Sequence, residues 1–331
     1  MSDVMENILK APAKPASPTW KPSITWAAVM WRGMIVWLLI ALIILCRILY
    51  PGFLARDNIF NILSQNVQVG LIALGMTFVM IAGGFDLSVG AIYAAGATVY
   101  AMEAKVMALP LAALLALAVG LIAGTVNGLI VTRLRVNPFV ATLGTTSIFG
   151  GAAYLYSHSA PVLVDRPDFT VLGAGKWFSV PISLLLLIVA YAIGAVVLSK
   201  TIYGRSLYAV GGNPEAARLA GLRVDLLKTS TYALVGVLSA LGGMIIASRL
   251  SIGQADIAGT MSLDAIAIVI IGGTSLFGGS GAVWRTAVGL LLLAVLNNIF
   301  DALALDSNFQ SLIKGAIVIG AVALDAFSRR R

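Results

Sequence analysis

The chain has 331 residues, 60% of them hydrophobic and only 11% charged, with a mean hydropathy of +0.98. Soluble domains carry about 45–50% apolar residues, so this composition excludes a soluble domain and calls for burial in lipid. The net charge of +8 does not point to nucleic acid, because the basic residues sit in loops and near the ends with no aromatic-interleaved basic stripe; they read as topology charge.

In chain order, residues 1–30 hold Lys10, Lys14 and Lys21 among Pro12, Pro15, Pro18 and Pro22 and read as a flexible cytoplasmic tail. Long apolar runs between short charged loops then predict an all-α, polytopic membrane protein, since a bilayer of about 30 Å takes about 20 apolar residues per helix. Ten spans fall near 31–49, 59–82, 88–106, 109–132, 138–158, 181–199, 226–248, 263–276, 283–301 and 308–327. The stretch 263–276 is too short to cross alone, so some helices are expected to be discontinuous. An even count puts both termini on one side, and about two thirds of the Lys and Arg residues then face inward, which makes that side the cytoplasm. The transmembrane domain runs from 31 to 327, with an outer loop at 159–180, a cytoplasmic loop at 200–225 and a basic cytoplasmic C-terminus at 328–331. Cys46, the one cysteine, sits in an apolar run and reads as structural.

"IAGGFDLSVGA", residues 81–91, places Asp86 between Gly83-Gly84 and Ser88 inside an otherwise apolar region. An ionisable side chain in lipid costs about 2.5–3.5 kcal/mol on insertion scales and normally faces a cavity or a partner. Two compatible readings stand: Asp86 or Ser88 caps a new helix after the glycines end the previous one, or Asp86 touches a passing solute. "VIIGGTSLFGGSGA" at 269–282 echoes this stretch, pairing Gly83-Gly84 with Gly272-Gly273. A second echo pairs Asn127 with Asn297 and Phe139 with Phe309 at a different spacing. Two glycine-interrupted apolar segments are the sequence sign of broken helices lining a transport path. Treated as straight helices, the first pair lies about 36 Å from residue 59 and the second about 14 Å from residue 263, so their depths are expected to differ.

Other polar residues inside spans include Gln65, Asn66, Gln68, Asn127, Thr142, Thr145, Thr146, Asn297 and Asn298. They face other helices or a polar pathway, where amides suit a neutral polyhydroxylated solute. Enzyme signatures are absent: the chain has no G-x-x-x-x-G-K-[ST] phosphate loop, and His158 with Cys46 cannot build a His/Cys metal cluster. No cofactor is therefore expected on this chain.

"GGNPEAARLAG", residues 211–221, is the most specific segment. Gly211-Gly212 reads as a turn, Asn213 as N-cap, Pro214 as first helical residue and Glu215 as a favourable charge at the helix start. The result is a short surface helix over 214–220, stopped by Gly221, that presents Ala216, Ala217, Leu219 and Ala220 outward to a partner groove.

This segment resembles the E-A-A-x-x-x-G signature of permease subunits of bacterial ABC importers, and "GGFDLSVGA" with "GGTSLFGGSGA" resembles the ribose-type branch for monosaccharides. The similarity runs from about residue 31 to 327. It implies a coupling surface of Asn213, Glu215, Ala216, Ala217 and Gly221 against an ATPase subunit that carries ATP and Mg. It also implies a translocation core at Gly83, Gly84, Asp86, Ser88, Gly272 and Gly273, to which the polar pattern adds Asn127 and Asn297. The partners implied are that ATPase, a periplasmic sugar-binding protein and a second copy of the chain, all in or at the bacterial inner membrane. The alternative is an ion-coupled secondary transporter of a small polar solute. That class couples through titratable groups at midplane, where Asp86 stands nearly alone.

Overall fold

The structure, a computed structural model, describes residues 26–328, of which 35–328 belong to one compact unit. The predicted tail as far as residue 25, and residues 329–331 of the predicted basic C-terminus, lie outside the described residues.

Helix α1 (Trp26–Leu49) precedes α2 (Arg56–Gln65), α3 (Val67–Ile81), α4 (Val89–Ala104), α5 (Leu109–Thr132) and α6 (Pro138–Tyr156). A connecting segment holds β1 (Val162–Leu163), the single turn α7 (Val171–Ala174) and a hairpin of β2 (Lys176–Trp177) with β3 (Val180–Pro181). Then come α8 (Ile182–Lys200), α9 (Ile202–Gly212), α10 (Pro214–Leu219), α11 (Val224–Leu250), β4 (Ile252–Gly253), α12 (Met261–Ile271), α13 (Val283–Ala302) and α14 (Ser307–Ser328). Strand β1 pairs antiparallel with β4, Val162 opposite Gly253, and ties the connecting segment to the end of α11.

This is an all-α polytopic membrane protein. Among the described residues, α5, α8, α11 and α13 are each long and apolar enough to cross a bilayer, and α2 with α3, bent by 49°, are together long and apolar enough for a fifth. The bend has a local cause at Asn66. Its side-chain amide donates to the Ile62 carbonyl at 2.8 Å, the oxygen that its own backbone N–H would otherwise take, and that N–H reaches only Leu63 O at 3.3 Å. A side chain inserted into the helical ladder is a recognised source of kinks.

Every residue of α3 is buried, as expected for a helix apolar on all sides. It is surrounded by α8, α11, α12 and α13. Helices α5 and α11 touch backbone to backbone: a Cβ on Gly124 would lie 2.2 Å from the Tyr232 carbonyl oxygen, and one on Gly236 would lie 2.2 Å from that of Gly120. Lipid removes the hydrophobic drive between helices, so close packing of small residues takes its place. Cys46 is buried among Leu39, Phe53, Ile62, Val295 and Phe300.

Candidate functional site

Helices α3 and α12 end in the same way. Gly84 N–H donates to Val79 O and Gly83 N–H to Met80 O, both at 2.9 Å, with Gly83 at φ +73°. At the second end Thr274 N–H donates to Val269 O (3.1 Å) and Gly273 N–H to Ile270 O (2.7 Å), with Gly273 at φ +78°. Each is a Schellman stop that needs glycine at one position, because a Cβ disfavours the left-handed backbone. Gly83 therefore corresponds to Gly273, one residue later than the sequence pairing. Gly84 and Gly272 serve packing instead: a Cβ on Gly84 would lie 2.8 Å from the Tyr232 hydroxyl, and one on Gly272 would lie 2.8 Å from the Arg285 carbonyl oxygen.

The two breaks lie side by side. The loop after the second end lies against the first: Gly279 N–H donates to Ile81 O at 2.9 Å, and a Cβ on Gly278 would lie 2.9 Å from Gly83 Cα. A straight-helix measurement from residue 59 ignored the bend at Asn66. Past it, α3 has 15 residues against 11 in α12, a difference of about 6 Å at 1.5 Å per residue.

Between α3 and α4 the chain is stripped of helical hydrogen bonds and is sealed by side chains from elsewhere. Asp86 is 0% exposed, and its Oδ1 accepts from Ser88 N–H at 2.8 Å and from Ser88 Oγ–H at 2.7 Å. Asn127 Nδ2, on α5, donates to Ser88 Oγ at 2.6 Å and more weakly to Asp86 Oδ2 at 3.3 Å. The Tyr232 hydroxyl on α11 accepts from Phe85 N–H and donates to Phe85 O, each at 3.1 Å. Thr142 Oγ1 accepts from Leu87 N–H at 3.1 Å. Ser262 Oγ accepts from Gly90 N–H at 3.0 Å and donates to Leu87 O at 2.8 Å. Buried backbone groups need such partners. The capping expectation is therefore modified: Ser88 makes no capping bond to α4, Asp86 holds the N–H of Ser88 ahead of the helix, and Ser262 serves the first turn.

Helix α9 links this region to the segment that carries α10. The sequence reading made Gly211-Gly212 a turn, whereas both residues close α9. The end of α9 packs against the end of α3 and against the loop after α12, and a Cβ on Gly211 would lie 1.8 Å from Ile81 O and 2.6 Å from Gly279 N. Tyr208 on the same helix donates from its hydroxyl to Gly281 O at 2.8 Å.

Helix α10 follows directly. Asn213 Oδ1 accepts from Glu215 N–H (3.1 Å) and Ala216 N–H (3.0 Å), with Pro214 as first helical residue. Gly221, at φ +85°, stops it through Gly221 N–H to Arg218 O and Leu222 N–H to Ala217 O, both 3.0 Å. Arg218 and Asp225 pair across the stop at 2.9 Å. Ala217 does not face outward: it is buried against Val210 and Val224, because positions three and four apart share a face and one face must anchor the helix. The outward side is Glu215, Ala216, Leu219 and Ala220, with Leu219 91% exposed.

The structure thus brings Gly83, Gly84, Asp86, Ser88 and Asn127 together, sets the loop that follows Gly272 and Gly273 against Gly83, and joins that junction through α9 to Asn213, Glu215, Ala216 and Gly221. Asn297 stands apart on α13: its buried Oδ1 has no partner, and no hydrogen bond links it to either break. Asn127 lies in the second helix after the first break and Asn297 in the first helix after the second, so that echo does not follow the correspondence of the helix ends. Sequence reasoning missed Tyr232, Ser262 and Tyr208, single polar residues with no local pattern. It also passed over Gly278-Gly279, although a second glycine pair was visible in the quoted segment.

The chain belongs to the family described as branched-chain amino acid transport system / permease component, whose model matches residues 58–322. Within it the chain is a ribose-type ABC permease. It is 41% identical over 290 residues to the ribose import permease protein RbsC of Bacillus subtilis, covering 87% of this chain and 90% of that one. RbsC of Escherichia coli K12 is 37% identical over 298 residues, with 87% and 92% covered. The L-arabinose transport system permease protein AraH of the same strain is 33% identical over 306 residues, with 90% and 91% covered. No solved structure matches the chain.

Proposed function

We infer that this permease subunit of an ABC sugar importer moves a monosaccharide across the bacterial inner membrane, with ribose the first sugar to test because the ribose relatives share 36–41% identity against 33% for the arabinose one. The chain crosses ten times, counting α2 with α3 as one crossing, and both termini are cytoplasmic. Two copies enclose the pathway. A separate ATPase subunit binds ATP and Mg and seats on the outward face of α10, and a periplasmic binding protein delivers the sugar at the other side.

The observation that carries this reading is the glycine junction of α9 with the end of α3 and the loop after α12. When the ATPases close, α10 moves and α9 transmits that motion as a rigid rod, since its last turn rests on Ile81 O and Gly279 N without intervening side chains. The breaks at Gly83 and Gly273 act as hinges, and the cluster of Asp86, Ser88 and Asn127 keeps the opened backbone satisfied. Asn297, with its unpartnered Oδ1, offers a weak hydrogen-bonding station on α13. Proteoliposomes holding the chain with the ATPase and binding protein should take up ribose only with ATP. Uptake driven by an ion gradient through this chain alone would instead establish secondary transport.

A further inference from the structure

A cationic cavity lies at the start of the bent α2–α3 pair, the opposite end from Ile81. It encloses about 490 Å³ and is lined by Arg56, Lys176 and Arg249, with Asp57, Asn61 and Ser64. Its position follows from the chain order. Arg56 begins the bent crossing that ends at Ile81, Arg249 is next to last in α11, and Lys176 lies just before α8. Three crossings start or finish there, so the cavity sits at a membrane–water boundary.

Its charges are unbalanced. Three cations face one carboxylate, and among the described residues the ion pairs are Arg166 with Asp168 and Arg218 with Asp225, neither in the cavity. Two of the guanidinium groups are held by contacts that leave their charge uncompensated. Arg56 stacks over the Phe60 ring at 5.6 Å, and Arg249 Nη1 reaches the Ser64 carbonyl at 3.5 Å. Beside the cavity the hairpin turns at Phe178 and Ser179, both with positive φ (45° and 68°). Because strand side chains alternate, Lys176 lines the cavity while Trp177, 62% exposed, points away with Phe178, 87% exposed, against it at 5.4 Å. Exposed aromatics at a span end are the side chains that settle among lipid headgroups.

We propose that this cavity binds the phosphate of an anionic phospholipid headgroup, with Arg56, Lys176 and Arg249 as the cationic contacts and Trp177-Phe178 anchored in the surrounding interface. The site is independent of which sugar is carried and of the ATPase.

The test uses the full chain in nanodiscs of phosphatidylcholine with or without phosphatidylglycerol, counting retained lipid by native mass spectrometry. The triple substitution Arg56→Gln, Lys176→Gln, Arg249→Gln should lower the preference for phosphatidylglycerol at least about fivefold, the change expected from even one basic residue at an anionic surface. Unchanged preference overturns the proposal. So does release of the lipid preference by inorganic phosphate alone, which makes this a free-phosphate site. Unchanged preference together with lost capture of an acidic binding protein makes it a protein-docking site. Should the triple variant aggregate, the unsubstituted chain decides: Trp177 emission, taken by difference from Trp177→Phe, is quenched more by brominated phosphatidylglycerol than by brominated phosphatidylcholine, and equal quenching refutes the assignment.

Discussion

Gly211→Ala is the sharpest perturbation of the proposed coupling route. A methyl group there would lie 1.8 Å from Ile81 O and 2.6 Å from Gly279 N, where ordinary contact begins at 3.4 Å, so backbone on one side has to retreat by about 1.6 Å. That retreat opens the Gly279 N–H to Ile81 O bond of 2.9 Å. Overpacking typically costs about 1–3 kcal/mol, and the lost hydrogen bond adds about 1 kcal/mol. The gain in helix propensity from glycine to alanine returns at most about 1 kcal/mol. Gly212 supplies the control one residue away, since a Cβ there meets nothing within 4 Å and only the propensity gain applies. Both substitutions leave the outward face of α10 untouched, so ATPase co-purification should be normal in each. ATP-driven uptake should fall at least tenfold for Gly211→Ala and stay near normal for Gly212→Ala. Equal uptake by the two variants would refute transmission through this junction.

Asp86→Ala orphans the Ser88 N–H and weakens the hold on Asn127, at about 1–3 kcal/mol per unsatisfied buried donor, so thermal unfolding in detergent should shift down markedly; an unchanged midpoint would remove the structural role given to this carboxylate. On α10, Leu219→Glu should weaken ATPase co-purification without lowering thermal stability, whereas Ala217→Glu should destabilise the fold because Ala217 is buried; the reverse pattern would invert the assigned faces. Gly221→Pro forbids the φ of +85° and should abolish ATPase capture while membrane insertion persists. Between β1 and α7, the Arg166 guanidinium holds the Asp168 carboxyl below its usual 3.8. A lowered folded value means the pairing stabilises fully above the usual value and fades as pH falls from there through the lowered one. Limited proteolysis of 159–180 should therefore speed up over that acid window, and Asp168→Asn should abolish the change.

Much of the site was legible because its signals are local. Glycine at a left-handed stop, asparagine before proline at a helix start and a charge inside an apolar run each leave a mark within a few residues, and Gly83, Asn213, Gly221 and Asp86 were found that way. What failed had no local mark. Ala217 looked outward because a six-residue helix carries too short a period to reveal which face packs. Gly211-Gly212 looked like a turn because glycine pairs usually are one, and only the approach of Ile81 and Gly279 shows why glycine closes α9.

The sequence by itself determined that this chain is a membrane protein of apolar helices, where two of those helices stop, and where a short helix is displayed, because hydropathy and backbone conformational preference act over a few residues at a time. Only the tertiary structure decided that the loop after the second stop meets the first, that the chain bends at Asn66, and that Tyr232, Thr142 and Ser262 satisfy the backbone opened between α3 and α4. Those outcomes depend on which distant groups share a lipid-excluded interior, where every unpaired polar atom is costly.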